Sequence, residues 1–164
     1  MIEKIDFQDS SLIKRLYVLQ REAYLVEAKL INFYEIPPLK ETLADFMECG
    51  ETFIGFFEED EIIGAVSYTA NGQKLTICRL AVHPQFFRRG IAQKLLAAVE
   101  EEYPDFDVIY VSTGKENIPA KKLYLKHRFR LTGDIEVAPG FYISKFEKKR
   151  MAADLYDKEQ PHLI

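Results

Sequence analysis

Three apolar segments, separated by short polar turns, occupy the middle of this sequence. They cover residues 52–58, 61–69 and 74–82. The first break is Glu59-Asp60, and the second contains Asn71-Gly72, a dipeptide typical of tight hairpin turns. Strands joined by such short turns must pair antiparallel, because a parallel pair needs a crossover of roughly a dozen residues or more. The three segments therefore predict an antiparallel meander.

A helical periodicity follows the meander. Ile91, Leu95, Ala98 and Val99 fall on one helix face, and residues 107–113 then form an apolar, strand-like run. This order of strand, helix and strand predicts a crossover and hence a parallel pair. Further along, the sequence predicts a helix from Asn117 to about His127 and strands near 129–133 and 141–147.

The first fifty residues predict one strand and two helices. Residues 2–7 alternate like a strand, and Asp9 to Ser11 can cap a helix. The apolar positions of this first helix are Leu12, Leu16, Leu19 and Ala23. A second helix is predicted from Pro37-Pro38 to Gly50. The fold class is thus α+β, with one mixed-sheet domain over residues 1–147 and a charged tail over 148–164.

The composition narrows the classes of partner. A net charge of −4 disfavours nucleic acid, which needs a basic surface. Cys49 and Cys78 form no metal-ligand or disulfide pattern, so no metal is expected. The sequence shows no apolar run of the roughly 18 residues that a membrane span needs. We expect a soluble, cytoplasmic protein with no membrane partner.

The first chemical signal is a basic tripeptide, Arg88-Arg89-Gly90, at the start of the helix that carries Ile91. The first turn of a helix presents unpaired N–H groups and a partial positive charge, which suits an anion such as phosphate. Gly90 would allow the anion to approach the backbone. A solvated surface loop explains the same residues equally well, and neither a P-loop nor a dinucleotide-binding glycine motif is present.

The second signal is a tyrosine on an apolar helix face. Ala120, Leu123, Tyr124 and His127 share one face of the helix that begins at Asn117. Taken by itself, this pattern favours a packed core tyrosine, with its hydroxyl bonded to the backbone, over a functional one. The three histidines show no serine and aspartate pattern beside them, so nucleophilic catalysis is not indicated.

Together the two signals resemble the GNAT superfamily of N-acetyltransferases over residues 2–147. One of its motifs matches Leu80 to Pro84 and the following Gln85 to Ala92, and a second matches Asn117 to Phe129. The resemblance implies acetyl-CoA as co-substrate and direct transfer of the acetyl group to a primary amine in a ternary complex. The fold that it implies agrees with the predicted order of strands and helices.

The resemblance also assigns roles to residues. It implies that the backbone of Leu80, Ala81 and Val82 contacts the pantetheine arm and acetyl carbonyl. It implies that the pyrophosphate is held by the amides of Arg88, Arg89, Gly90, Ile91 and Ala92. Asn117 would contact the cofactor, and Tyr124 would protonate the departing thiolate. Phe87 departs from the family pattern, which has arginine or glutamine at the start of this loop.

The acceptor side is less defined. Some relatives carry a glutamate base at the position of Thr76, so the base is unidentified here. The resemblance places the segment between the first two helices on the acceptor side of the cleft. Glu27 and Glu35 are the candidate bases in this segment, and the candidate pocket residues are Tyr24, Phe33 and Tyr34, although packed aromatics and solvated acids would give the same pattern. The amine acceptor stays unidentified, and a homodimer through an edge strand such as 141–147 is one expectation. A non-catalytic acetyl-CoA sensor and a protein-interaction module are the alternatives.

Overall fold

The computed structural model describes residues 1–150. Seven strands form its sheet: β1 Ile2–Lys4, β2 Thr52–Glu58, β3 Glu61–Asn71, β4 Lys74–Val82, β5 Val108–Gly114, β6 Arg130–Ala138 and β7 Phe141–Lys149. The helices are α1 Ser10–Ile31, α2 Pro37–Lys40, α3 Leu43–Met47, α4 Ile91–Glu102 and α5 Ile118–Lys126. A short 3₁₀ turn covers Pro84–Phe86.

The strands form one mixed sheet in the order β1-β2-β3-β4-β5-β7-β6. Strands β2, β3 and β4 pair antiparallel, and Asn71 faces Lys74 across the second turn. The predicted meander is therefore confirmed. Helix α4 then carries the chain across to β5, which pairs parallel with β4.

Strands β4 and β5 separate soon after they pair. Their pairing joins Lys74–Thr76 to Val108–Tyr110, although β4 continues to Val82 and β5 to Gly114. The register of β3 against β4 shifts at Cys78, which lies between the paired positions Ile77 and Arg79. Such a bulge bends its strand, and this one lies directly after the last β4–β5 pair. The two strands thus leave an opening in the middle of the sheet, the β4–β5 opening.

The two faces of the sheet bury different cores. Helices α4 and α5 cover one face, with Leu95 and Val99 fully buried against it. Helix α1 covers the other face, where Ile13 and Leu16 pack against Phe46. Neighbouring strand residues alternate between the two cores: Phe53, Ile62 and Ala65 face α1, and Ile54, Ile63 and Val66 face α4. Successive residues of a strand point to opposite faces, so both faces of the sheet are apolar and both are covered by helices. The domain therefore has three layers, with the sheet between the helices.

The first helix is longer than its apolar pattern predicts, and the second is broken. Helix α1 continues past Ala23 to Ile31, so its last turns reach the β4–β5 opening. The helix predicted from Pro37 to Gly50 is wrong as a single element, because Glu41 is extended and Thr42 starts a new helix by accepting a hydrogen bond from the Asp45 amide at 3.1 Å.

The end of the domain also differs from the prediction. Strand β7 lies between β5 and β6, so residues 141–147 are not an edge strand, and that expectation is wrong. The edge on this side is β6. Strand β7 continues to Lys149, two residues beyond the predicted end of the domain at 147, and Lys148 binds Glu100 at 2.9 Å. The rest of the predicted tail, residues 151–164, lies outside the described residues.

Candidate active site

A cavity of about 1290 Å³ occupies the β4–β5 opening. Its wall contains residues from the end of α1, from the starts of α4 and α5, and from the part of β4 that is not paired with β5. The predicted cofactor residues that line it are Leu80, Ala81, Val82, Phe87, Arg88, Gly90, Ile91, Ala92, Asn117 and Tyr124. The residues predicted for the acceptor side that line the same cavity are Tyr24, Glu27, Phe33 and Glu35. Residues from separate parts of the sequence therefore share one site.

The start of α4 presents free backbone donors to this cavity. Gly90 is the N-cap, with φ of +74°, and the first helical hydrogen bond runs from the Lys94 amide to the Gly90 carbonyl. The amides of Ile91, Ala92 and Gln93 precede that bond and so have no partner within the helix, and all three residues line the cavity. This turn can bind an anion.

The two arginines before α4 differ in position. Arg88 lines the cavity and has a left-handed backbone with φ of +66°. Arg89 instead binds Glu58 at 3.2 Å, and its guanidinium lies 5.1 Å from the centre of the Phe86 ring. Arg89 does not line the cavity. Of the two arginines, Arg88 is therefore the one that belongs to the cavity next to the free amides of α4.

The stretch of β4 beyond Thr76 is paired on one side only. Antiparallel pairing with β3 continues to Val82, which faces Gly64, whereas among residues 1–150 its pairing with β5 stops at Thr76. Backbone groups on the β5 side of Leu80 to Val82 therefore face the cavity. Such groups can bind an extended chain or a carbonyl oxygen.

Tyr124 lies where α5 meets the core. Its side chain is 4% exposed and lines the cavity, and its ring packs 5.6 Å from those of Phe129 and Phe146. Burial raises the pKa of Tyr124 well above its usual value, and the nearby charge of Glu27 raises it further. The phenol therefore keeps its proton at neutral pH and can act as a proton donor.

Glu27, on the last turns of α1, is held by two residues from other elements. Its Oε1 accepts hydrogen bonds from Asn117 Nδ2 at 2.7 Å and from Thr113 Oγ1 at 3.3 Å. Both bonds end on Oε1, and Asn117 and Thr113 are themselves buried. Burial raises the pKa of Glu27, and the bonds to Asn117 and Thr113 oppose that shift.

Asn117 connects this carboxylate to α5. Its Oδ1 accepts from the Ala120 amide at 3.2 Å, the predicted N-cap, and the two protons of its Nδ2 go to Glu27 and Thr113. Both side-chain donors are thus used within the protein. A glutamate on α1 is in this way fixed to the helix that carries Tyr124.

Tyr24 lies one turn before Glu27 on α1. Burial raises the pKa of Tyr24 well above its ordinary value, Glu27 and Tyr124 add to the shift, and Arg79 and a hydrogen bond with the Leu80 backbone oppose it. Tyr24 is therefore a second protonated phenol at this site. Tyr34, by contrast, is 51% exposed and does not line the cavity.

An ion cluster at the cavity, which is largely shielded from solvent, was not predicted from the sequence. Arg79 makes two hydrogen bonds to Glu41, of 2.6 and 2.9 Å, and two to Glu51, of 2.9 and 3.1 Å. A fifth bond, of 3.0 Å, goes to Gln20. Burial alone would lower the pKa of Arg79, but the bonds to Glu41 and Glu51 outweigh it and raise the pKa. An arginine inside the apolar run of β4 was the signal for such a buried partner.

Three carboxylates and the arginine that binds two of them form a surface that we call the acidic wall. Its members are Glu27, Glu41, Glu51 and Arg79, all of which line the cavity. Glu35 also lines the cavity and is paired with Lys40. Within residues 1–150 there is no group of three His, Cys, Asp or Glu side chains that could hold a metal ion, and no helix long and apolar enough to cross a membrane.

Comparison with known proteins identifies the family. The model of the acetyltransferase (GNAT) family matches residues 13–129. This chain therefore belongs to the GNAT family of acetyltransferases, as its motifs predict. In Bacillus subtilis strain 168, the protein named UPF0157 protein YqkA is 34% identical over 162 residues, which are 97% of this chain and 47% of that protein. The chain thus spans about half the length of this curated relative.

Solved structures confirm the fold. The PaiA N-acetyltransferase of Thermoplasma acidophilum, in complex with coenzyme A, has a TM-score of 0.74 at 18% identity, over 91% of this chain and 98% of that one. The Escherichia coli ribosomal-protein-S18-alanine N-acetyltransferase has a TM-score of 0.75 at 13% identity, over 93% and 95% of the two chains. The predicted α+β architecture is confirmed, and acetyl-CoA fits the family as co-substrate.

Proposed function

We propose that this domain transfers the acetyl group of acetyl-CoA directly to a primary amine in a ternary complex. The observation that carries the proposal is the meeting, in one cavity, of a helix start that can bind an anion, an unpaired strand edge, a protonated phenol and a buried carboxylate. Each of these four groups has a role in such a transfer. Family membership supports the same chemistry.

Two elements of the fold bind different parts of the cofactor. The amides at the start of α4, with Arg88, bind the pyrophosphate. The backbone of Leu80, Ala81 and Val82 binds the pantetheine arm and holds the acetyl carbonyl. Donors placed on that carbonyl stabilise the oxyanion that forms during attack, which is usually a large electrostatic effect in acyl transfer.

Glu27 and Tyr124 move the protons. An alkyl amine enters as an ammonium ion with a pKa of about 10, and Glu27 accepts a proton from it. The neutral nitrogen then attacks the thioester carbonyl carbon, and collapse of the adduct breaks the C–S bond. Tyr124 donates its phenol proton to the departing sulfur and is reprotonated through solvent. The amide nitrogen releases its remaining extra proton to water, and Glu27 passes the proton that it took from the ammonium to solvent, which restores the free enzyme.

The structure supports this division of roles through the fixed position of Glu27. Asn117 and Thr113 occupy its Oε1, and Oε2 is the oxygen that we assign to the amine. Burial raises the pKa of the carboxyl group, which makes it a stronger base than an exposed glutamate. Asn117 acts here as a positioning residue, since both its Nδ2 protons are used on Glu27 and Thr113.

The proposal is tested by measuring thiol release from acetyl-CoA with a set of amines. The set contains cadaverine, pentylamine, L-lysine and a short peptide with a free N-terminal alanine, and a reaction without amine corrects for hydrolysis. Amine-dependent thiol release with a matching acetylated product supports the proposal. Binding of acetyl-CoA without turnover of any amine would reject it and favour a non-catalytic acetyl-CoA sensor.

A further inference from the structure

The charged residues that line the cavity are unevenly composed, with more carboxylates than cations. Three of the four members of the acidic wall are carboxylates, and they come from α1, from the segment between α2 and α3, and from the residue before β2. Among the described residues that line the cavity, the only cationic side chains are Arg79 and Arg88. Arg88 precedes α4, where the proposed pyrophosphate site lies. Any cation that attracts an acidic acceptor would therefore have to be Arg79.

Arg79 has no donor left for a substrate. A guanidinium has five N–H groups, and the five hydrogen bonds of Arg79 go to Glu41, Glu51 and Gln20. Its side chain is 10% exposed and is covered on one side by the rings of Phe46 and Phe53, whose centres lie 5.1 and 5.9 Å away. A carboxylate on the acceptor would find no free donor on this cation.

The carboxylates around Arg79 keep capacity to accept. Two glutamates and one arginine carry a net charge of −1. Each carboxylate offers about four acceptor positions. Glu41 uses three of them, on Arg79 and Gln20, and Glu51 uses three, on Arg79 and Ser67. The wall therefore attracts a second positive charge and repels a negative one.

The remaining lining favours the methylene chain of such a molecule. Phe33 and Phe141 stack with ring centres 3.9 Å apart, and both line the cavity together with Ile36. Apolar contacts of this kind bind CH₂ groups without any polar partner. An acceptor with two amines joined by a short alkyl chain fits both the charges and the apolar surface.

We infer that the acceptor is a small alkyl diamine or polyamine with no carboxylate, whose reacting amine lies at Glu27 and whose second ammonium lies at Glu41 and Glu51. This inference rests on the proposed function. It assigns the acceptor class from the charges of the acidic wall and from the apolar lining of the cavity, and it gives Arg79 the role of organising carboxylates instead of binding substrate.

Three probes that differ by one group test this assignment. Cadaverine, L-lysine and pentylamine share a five-carbon amine chain. The far end of cadaverine carries an ammonium, that of lysine an ammonium and a carboxylate, and that of pentylamine neither. We expect kcat/KM for cadaverine to exceed that for pentylamine by ~10-fold, which corresponds to about 1.4 kcal/mol. It should exceed that for lysine by ~10²-fold, because a carboxylate placed against carboxylates is strongly disfavoured.

A variant that removes one negative charge tests whether the acidic wall causes the preference for cadaverine. Glu41→Gln should bring the ratio of cadaverine to pentylamine close to one, whereas Glu48→Gln, an exposed control seven residues away, should leave the ratio unchanged. Thermal denaturation checks that Glu41→Gln is folded, and the three probes on the unaltered protein decide the question if it is not.

The possible outcomes distinguish a failure of the diamine inference from a failure of the proposed acetyltransferase function. Equal or faster turnover of lysine, or of the N-terminal alanine peptide, would overturn the diamine assignment and leave amine acetylation standing. Turnover of none of the four amines, with acetyl-CoA bound, would reject the proposed function itself.

Discussion

Asn117 donates a hydrogen bond of 2.7 Å from its Nδ2 to the Oε1 of Glu27, a residue 90 positions earlier in the chain. The bond joins the last turns of α1 to the N-cap of α5 across the β4–β5 opening. Since α5 also carries Tyr124, the bond fixes the carboxylate relative to the phenol. In the proposed reaction these two side chains are the base and the acid.

Glu27→Gln should remove the proposed general base. We expect amine transfer to slow by ~10²–10⁴-fold, the usual contribution of a general base, with little change in acetyl-CoA affinity. In the unaltered protein kcat/KM should fall as the pH drops through the raised pKa of Glu27, and this acidic limb should be missing in the variant. Glu22→Gln, on the same helix beside His83, is the matched control and should keep both rate and pH profile.

The same substitution should also change the pH dependence of stability. The pKa of Glu27 is higher in the folded chain than its ordinary value of about 4.3. Its contribution to stability is therefore fully present below that ordinary value and is lost as the pH rises through the folded pKa. Glu27→Gln should raise the melting temperature relative to the unaltered protein more at pH 8 than at pH 4. A larger gain at pH 4 would contradict the direction of the shift.

Tyr124→Phe should remove the proton donor and keep the buried ring. We expect turnover to fall by ~10²–10⁴-fold, while the affinity for acetyl-CoA stays within about twofold. Tyr110→Phe is the control, because Tyr110 lies exposed on β5 and does not line the cavity. If the Tyr124→Phe enzyme turns over at the normal rate, Tyr124 has no part in the proton transfer.

Arg88 and Arg89 form a matched pair of neighbours. Only Arg88 lines the cavity, whereas Arg89 binds Glu58 outside it. Arg88→Glu should weaken acetyl-CoA binding by ~10-fold or more, because it places a negative charge beside the pyrophosphate. Arg89→Glu should have a much smaller effect in the same calorimetric titration. Equal effects of the two substitutions would show that the side-chain positions do not govern binding.

Arg79→Met should destabilise the whole domain. The substitution leaves the carboxylates of Glu41 and Glu51, both nearly buried, without their common partner. We expect a loss of about 3 kcal/mol in the free energy of unfolding, measured in urea. Arg130→Met breaks an exposed pair with Glu147 and should cost less than about 1 kcal/mol. Similar losses in both variants would mean that the Arg79 cluster contributes little.

The parts of the fold that could be predicted from sequence have local causes. The Asn71-Gly72 turn defines the meander, and the period of Ile91, Leu95 and Val99 defines α4. Thr42 followed three residues later by Asp45 was an N-terminal helix signal that the sequence analysis overlooked, and it accounts for the break between α2 and α3.

The parts that could not be predicted depend on contacts between distant residues. The bulge at Cys78 that accompanies the separation of β4 and β5 has no marker in the sequence. Whether Glu27 or Glu35 enters the cluster with Asn117 depends on where α1 ends, and the apolar pattern was read only to Ala23. Predicting that β6 lies at the edge of the sheet, outside β7, would require the register of the whole β6–β7 hairpin.

The most direct test of the central claim is a calorimetric titration of the folded protein with acetyl-CoA, followed by the same titration of Arg88→Glu. The account predicts saturable binding with one site per chain, and an affinity at least about tenfold weaker in the variant. Absence of binding to the folded, unaltered protein would contradict the account, because every proposed step begins from that complex.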